Sequence, residues 1–290
     1  MLMRVALELG ERRCVAIAVI HLPNLRRVAV EKRVDELEEL VEREAAILRD
    51  AGFDAIIVEN YMDRPYAKRV EDPEILGLVA VAVRRALKVF GGPVGLSLLR
   101  CSAVEAYRLA WALGGSFVRI NAASETIATD SGVIEPALPR LAELRYLMPG
   151  IKILGDVLCK HSGSLDLALR YVSKLLEYEL SKRGEPLIDA LREVLADAVE
   201  RGELDAVIVT GDRTGEPPPM ELVKLFREVV NEKPLVLGSG ATPENVCRYL
   251  ELCDAVIVGS YVKRGGRAGN PTDPERARRF VESVKRCSRC

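Results

Sequence analysis

Eight short, nearly continuous apolar runs recur along the chain, each bounded by Gly, Pro or Asp and each followed by a segment with helical spacing. They start near Cys14 (CVAIAVI), Asp54 (DAIIVEN), Pro93 (PVGLSLL), Phe117 (FVRIN), Lys152 (KILGDVL), Asp205 (DAVIVTG), Pro234 (PLVLGSG) and Asp254 (DAVIVGS). A strand that is apolar at successive positions needs cover on both faces, which is the condition of a parallel sheet wrapped by helices. The helical patterns run from Val30 to Ala51, Pro73 to Phe90, Cys101 to Leu113, Glu135 to Leu147, Glu185 to Glu200, Pro219 to Asn231, Pro243 to Leu250 and Pro274 to Lys285. No Pro-, Gly- or Ser-rich linker divides the set, so the pattern predicts an α/β fold, a single closed (β/α)8 TIM barrel over residues 1–290.

One interval is longer than the rest. Between strands five and six, LDLALRYVSKLLEYELSKRG adds an extra helix, an insertion of about residues 163–184. Leu165, Ala168, Leu169, Val172, Leu175, Leu176 and Leu180 share one stripe of it. That stripe suits an added packing helix, and equally a lid or a subunit contact at the mouth.

In such a barrel, function comes from polar residues at the strand C-termini and in the loops just beyond. Strand one ends in His21, strand two in Glu59-Asn60, strand three in Arg100, strand four in Arg119 and Asn121, and strand five in Asp156. The strand-five loop carries Lys160-His161, and strand six ends in Thr210-Gly211-Asp212. Both histidines of the chain fall in this set. Arg119 and Asn121 share a face by strand alternation, and a buried arginine needs a carboxylate, for which Glu59 and Asp156 are the candidates. Either these groups form an ion-pair layer that plugs the barrel, or Glu59, Asp156 and His161 move protons while Asn121 and the arginine orient the substrate. Metal ligation by His21, His161, Glu59 and Asp156 lacks any closely spaced ligand pair, so the reading assigns no metal and no cofactor.

The last two strands each run into a Gly-Ser. Gly238, Ser239 and Gly240, then Gly259 and Ser260, offer backbone N–H groups with little side chain in the way, before helices whose N-termini would favour an anion. Loops seven and eight of a barrel often close a phosphate site, so these five residues are the predicted phosphate cradle. A Schiff-base aldolase would need a lysine inside the barrel, but Lys160 lies four residues past Asp156, so borohydride trapping is expected to fail.

The net charge of -1 and 5% aromatic content give no basis for a nucleic-acid partner. The longest apolar runs, such as Ile75 to Val83, are far shorter than the roughly 20 residues of a membrane span, and MLMRVALELGERRC does not read as a signal peptide. The expectation is a cytoplasmic protein. Glutamine is absent while Glu, Lys and Arg abound, which fits a thermophilic source; a melting temperature in the ordinary mesophile range would count against it. Seven cysteines include a terminal pair, Cys287 and Cys290, which is read as part of a frayed tail of about residues 286–290, with a terminal disulfide as the alternative.

Taken in order, VIHLPNL (19–25), DAIIVENYMDRPY (54–66), PVGLSLLR (93–100), FVRIN (117–121), TDSGVIE (129–135), ILGDVLCKHS (153–162), DAVIVTGDRTG (205–215), LVLGSGATPENV (235–246) and DAVIVGSYVKRGGRAGNPTD (254–273) resemble the BtpA (SgcQ-like) family over nearly the whole chain. The family takes its name from a photosystem I biogenesis protein. The resemblance implies a phosphate-binding (β/α)8 barrel, a homo-oligomer, and in phototrophs a link to accumulation of photosystem I. It supports Asn60, Asp63, Arg64, Asn121, Asp130, Lys160, His161 and Lys263 as site residues without giving any a chemical role. Three departures touch mouth loops: Arg26-Arg27 replaces a Pro-Gly turn, Pro136 replaces a Gly, and the strand-five loop carries the extra helix.

The combined expectation is an enzyme acting on a small phosphorylated sugar or nucleoside-like metabolite, by isomerase, lyase or hydrolase chemistry. His21, Asn60, Asp63, Arg64, Arg119, Asp130, Lys160, Thr210, Gly211 and Lys263 are the predicted substrate-binding residues. The alternative is a non-enzymatic assembly or stability factor that acts through the barrel surface.

Overall fold

The computed structural model describes residue 9, residues 14–288 and residue 290. The stretch that bears on a signal peptide falls almost wholly outside them.

All eight apolar runs form parallel strands of one closed barrel, in spatial order β1-β11-β10-β9-β7-β4-β3-β2. These are β1 (Val15–His21), β2 (Ala55–Glu59), β3 (Val94–Ser97), β4 (Phe117–Ile120), β7 (Lys152–Asp156), β9 (Ala206–Val209), β10 (Leu235–Leu237) and β11 (Ala255–Val258). The intervening β5 (Ile127–Thr129), β6 (Gly132–Ile134) and β8 (Ser162–Ser164) build a separate antiparallel sheet from the loops after β4 and β7. Strands of three residues carry too little periodicity to be read from sequence.

Around the barrel run α1 (Leu25–Glu31), α2 (Val34–Ala51), α3 (Pro73–Phe90), α4 (Ala103–Leu113), α5 (Leu138–Leu147), α6 (Leu165–Ser181), α7 (Pro186–Glu200), α8 (Met220–Val230), α9 (Val246–Leu250) and α10 (Pro274–Lys285). The helix predicted from Val30 is two helices. Asn24 caps α1 by accepting from the Arg27 N–H, and Lys32 then takes a left-handed conformation (φ 54°) that ends it. Helix α6 sits where the insertion was predicted and packs beside α7 through Lys174–Glu193 (2.8 Å) and Arg170–Glu193 (3.3 Å). None of its residues is fully buried; Leu169, Val172, Leu176 and Leu180 stay exposed.

Two cores divide the burial. Between sheet and helices lies the larger one, from Leu37, Val41 and Leu48 through Phe226 to Phe280. Inside the barrel, Val15, Ile17, Val19, Ala55, Ile57, Phe117, Leu154, Ala206, Ile208, Val236, Ala255 and Ile257 fill the lower layers. Each large aliphatic side chain there contributes about 1.5–3 kcal/mol of transfer free energy. The Phe117 ring occupies the space above Gly95, where a Cβ would lie 2.3 Å from it.

The C-terminus is not a frayed tail. Cys290 bonds to Cys14 at the foot of β1, and Cys287 bonds to Cys247 on α9, with Cα separations of 5.1 and 5.0 Å. The terminal cysteines face different partners far away in sequence, which no spacing rule would show. In the chain-entropy account, loops of 276 and 40 residues give about 6 and 4 kcal/mol of stabilisation when closed.

Candidate functional site

The interior row that is apolar at the floor turns polar at the mouth. Two residues past Val19, Ile57, Phe117 and Leu154, alternation brings His21, Glu59, Arg119 and Asp156 to the same inward face. Register sets His21 beside Glu59 and Glu59 beside Ser97. Above this ring opens a cavity of about 480 Å³, a size suited to a metabolite, lined by His21, Glu59, Arg119, Asn121, Lys160 and His161. Gly238, Ser239, Gly240, Gly259 and Ser260 also line it, with Gly259 beside the His21 ring, as do Arg64 and Asp130.

The arginine's partner is Asp156. Arg119 Nε donates to Oδ1 at 3.2 Å and Nη2 to Oδ2 at 3.1 Å, a bidentate pair in which both side chains are buried. Burial alone would lower the Arg119 pKa, but Asp156, with Glu59, outweighs it and holds the guanidinium above its ordinary value. Asp156 has no exposed surface and does not line the cavity; it touches the wall through Arg119 and accepts from Cys159 Sγ at 3.3 Å. Asn121 Nδ2 donates to Cys159 Sγ at 3.0 Å. Burial, then Asp156, pushes that thiol well above its usual range.

His21 is neutral. Burial above all, then the charges of Lys263 and Lys160, push it well below the ordinary histidine value. Its Nδ1 accepts from the Gly269 N–H at 3.2 Å, so the proton resides on Nε2, 4.0 Å from Glu59 Oε1. His161 is exposed at the rim with Nε2 3.0 Å from Thr214 Oγ1. Burial and then Lys160 draw its pKa down.

Lys160 is brought to the cavity wall by two left-handed residues that bracket it, Leu158 (φ 54°) and His161 (φ 58°). Its backbone N–H donates to Thr210 Oγ1 at 3.2 Å. Burial and then Arg119 lower its pKa, more than Glu59 and Asp156 raise it. Among the described residues, its ammonium makes no hydrogen bond or ion pair. Lys160 thus lies at the mouth, where the sequence placed it, on the wall of the cavity.

The glycine side also differs from expectation. The Gly238 N–H is taken by Val209 O (2.8 Å), and the Ser239 hydroxyl accepts from Gly211 N–H (3.2 Å) while donating to Glu216 O (2.9 Å). Gly240 has φ +74°, and a Cβ there would fall 2.0 Å from Pro217 N. Among the described residues, the backbone N–H groups of Ser239, Gly240, Gly259 and Ser260 donate no hydrogen bond, and all four residues line the cavity. Helix ends add little: α9 is only five residues long, and α10 begins at Pro274, capped by Asp273's own side chain. An anion here would be held by loop amides, without the aligned helices that the sequence suggested.

Six predicted residues support the mouth without lining the cavity. Asp156 has been described. Asn60 Oδ1 accepts from Leu99 N–H (2.8 Å), and Asp63 Oδ1 accepts from Leu25 N–H (2.6 Å), so these two fasten the loops after β2 and β3. Thr210 and Gly211 tie β9 to Lys160 and Ser239. Lys263 is completely buried, its Nζ 2.8 Å from both Glu44 Oε2 and Thr272 Oγ1. Conversely, Tyr61, Tyr66, Arg100, Arg213, Thr214 and Gly215 line the cavity and were not predicted as site residues. The GDRTG loop was a legible signal for three of these. Arg100 is held by Asp130 at 2.8 Å from the turn of the β5–β6 hairpin, and Arg64 stacks 4.3 Å from the Tyr61 ring. No three His, Cys, Asp or Glu side chains among the described residues come together as a metal-holding group.

The model of the BtpA family matches residues 12–174 and 167–286. The chain belongs to the BtpA family. An uncharacterised protein of Pyrococcus horikoshii is 36% identical over 276 residues, covering 93% of this chain and 95% of that one. The photosystem I biogenesis protein BtpA of Synechocystis sp. is 33% identical over 247 residues, 85% of this chain and 79% of its own length. Among solved structures, (S)-3-O-geranylgeranylglyceryl phosphate synthase from Thermoplasma acidophilum, in complex with its substrate sn-glycerol-1-phosphate, is 14% identical with a TM-score of 0.54, each chain covered to 94%. That likeness is one of fold. In this BtpA-family barrel, no helix of the described residues is long and apolar enough to cross a membrane.

Proposed function

We propose that this BtpA-family barrel is an enzyme acting on a small phosphorylated sugar or nucleoside-like metabolite. The observation that carries the reading is the set of uncommitted backbone N–H groups at Ser239, Gly240, Gly259 and Ser260, in residues that line one cavity together with ionisable side chains. Charged hydrogen bonds to such amides contribute about 1.5–3 kcal/mol each. Glu59 and His161 are assigned the proton transfers, Arg119, Asn121 and Lys160 the orientation of reacting oxygens, and Asp156 the fixing of Arg119. A likewise folded synthase holding sn-glycerol-1-phosphate supports a phosphorylated ligand. Isomerase, lyase and hydrolase chemistry all suit this set.

A second reading has its own observation. The exposed stripe Leu169, Val172, Leu176 and Leu180 on α6 is apolar surface of the kind that meets another protein, and one relative carries the name of a biogenesis protein. In that reading the chain is an assembly or stability factor, and self-association through the same stripe is its simplest form. Mass spectrometry of small molecules released from purified protein separates the two. A retained phosphorylated metabolite supports the enzyme; an empty mouth, together with loss of a captured protein partner in Leu176→Glu, supports the factor.

A further inference from the structure

We propose that the Lys160 ε-amine is a covalent catalyst, forming an imine with an aldehyde or ketone carbon of the phosphorylated substrate. The proposal rests on the phosphate-binding reading above and narrows it. Lys160 lines the same cavity as the free amides of Ser239, Gly240, Gly259 and Ser260, so a substrate with its phosphate there can present a carbonyl carbon to the amine. Its Nζ has no partner among the described residues, whereas the completely buried Lys263 is closed off by Glu44 and Thr272. A lysine kept as a mere anion holder would gain from its charge. Here burial and the neighbouring Arg119 favour the neutral amine, and Arg64, Arg100 and Arg119 already supply positive charge to the same cavity.

The step balances within the site. The amine lone pair attacks the carbonyl carbon, a C–N bond forms, and the C=O π pair moves to oxygen. Glu59, on the same wall, first takes a proton from the ammonium; after the attack a second proton passes from nitrogen to the oxyanion to give the carbinolamine, and Glu59 returns the first to its hydroxyl, which leaves as water and gives the iminium. That cation draws electrons from the adjacent C–C or C–H bond. Of the three reaction classes left open, the imine therefore selects lyase or isomerase over hydrolase, with a phosphorylated aldose, ketose or oxo compound as substrate.

The test uses pyridoxal 5′-phosphate, a phosphorylated aldehyde, as probe on the full-length protein with sodium borohydride, followed by intact mass and peptide mapping. One adduct per chain at Lys160 is expected, several-fold faster than on the exposed Lys182, suppressed by inorganic phosphate and absent in Lys160→Arg. A pH profile of the wild-type labelling rate, reaching its plateau below that of exposed lysines, serves even if the variant misfolds. Labelling at Lys160 no faster than at Lys182, or none at all, overturns the proposal. Calorimetry with inorganic phosphate on the same preparation separates the layers: phosphate binding without Lys160 labelling removes only the imine, and no phosphate binding removes the reading beneath it.

Discussion

Lys160, half-buried on the cavity wall, and Lys263, completely buried, are two lysines of the same barrel mouth, and burial is the largest influence lowering the pKa of each. They differ in what receives the ammonium. Lys263 Nζ has a carboxylate and a hydroxyl at 2.8 Å, and Glu44 also accepts the Thr272 N–H at 2.8 Å, so the 263–272 loop is closed onto α2. Lys160 has none of this and faces a cavity. A fully partnered buried charge is a fastening; an unpartnered one in a cleft marks a place where something else is to bind. The fastening still serves the site, since Gly269 within that loop donates to His21 and the Lys263 charge helps keep His21 neutral.

The comparison breaks most readily at Glu44. Glu44→Ala leaves Lys263 buried without its carboxylate and is expected to cost about 3–5 kcal/mol, read by denaturant melts, while Glu44→Leu with Lys263→Met recovers most of that loss. A single-variant loss below about 1 kcal/mol would mean that the pair is not the fastening described.

A smaller effect follows from His21. Its folded pKa lies below the unfolded value of 6.5, so below that pH the unfolded chain takes up a proton that the folded protein does not. Stability contributed by neutral His21 is complete above pH 6.5 and is lost as pH falls toward the folded pKa, with a limiting slope of about 1.4 kcal/mol per pH unit. The Glu44→Leu, Lys263→Met background removes one of the charges that depress His21, so this acid loss should shrink there. An unchanged pH profile would separate His21 from the Lys263 loop.

The smallest stability effect is predicted at the other lysine. Lys160→Met breaks no ion pair and should change stability by no more than about 0.5 kcal/mol, while abolishing the reactive amine. A loss of several kcal/mol would show that Lys160, too, is a fastening.

How far the sequence carries differs between these regions for physical reasons. Parallel strands covered on both faces are near-continuous apolar runs, so all eight were legible, and strand parity carried His21, Glu59 and Arg119 to the inner face. Parity left Glu59 and Asp156 as equal candidates for Arg119 and could not tell that Lys263 would turn away to Glu44; the two pairings join residues 37 and 219 apart. Lys160 depends on two left-handed residues that have side chains and so leave no glycine signal. The disulfide pairs of the C-terminus and the three-residue strands over the mouth lie beyond local pattern altogether.

The claim beneath all of this is that loop amides at the ends of β10 and β11 hold a phosphate. Amide NMR during titration with inorganic phosphate tests it residue by residue. The account predicts that the N–H signals of Ser239, Gly240, Gly259 and Ser260 move together along one saturable curve, with Kd at or below about 1 mM, or about -4 kcal/mol. Signals that stay still at these four positions, or shift only at exposed basic residues, would contradict it.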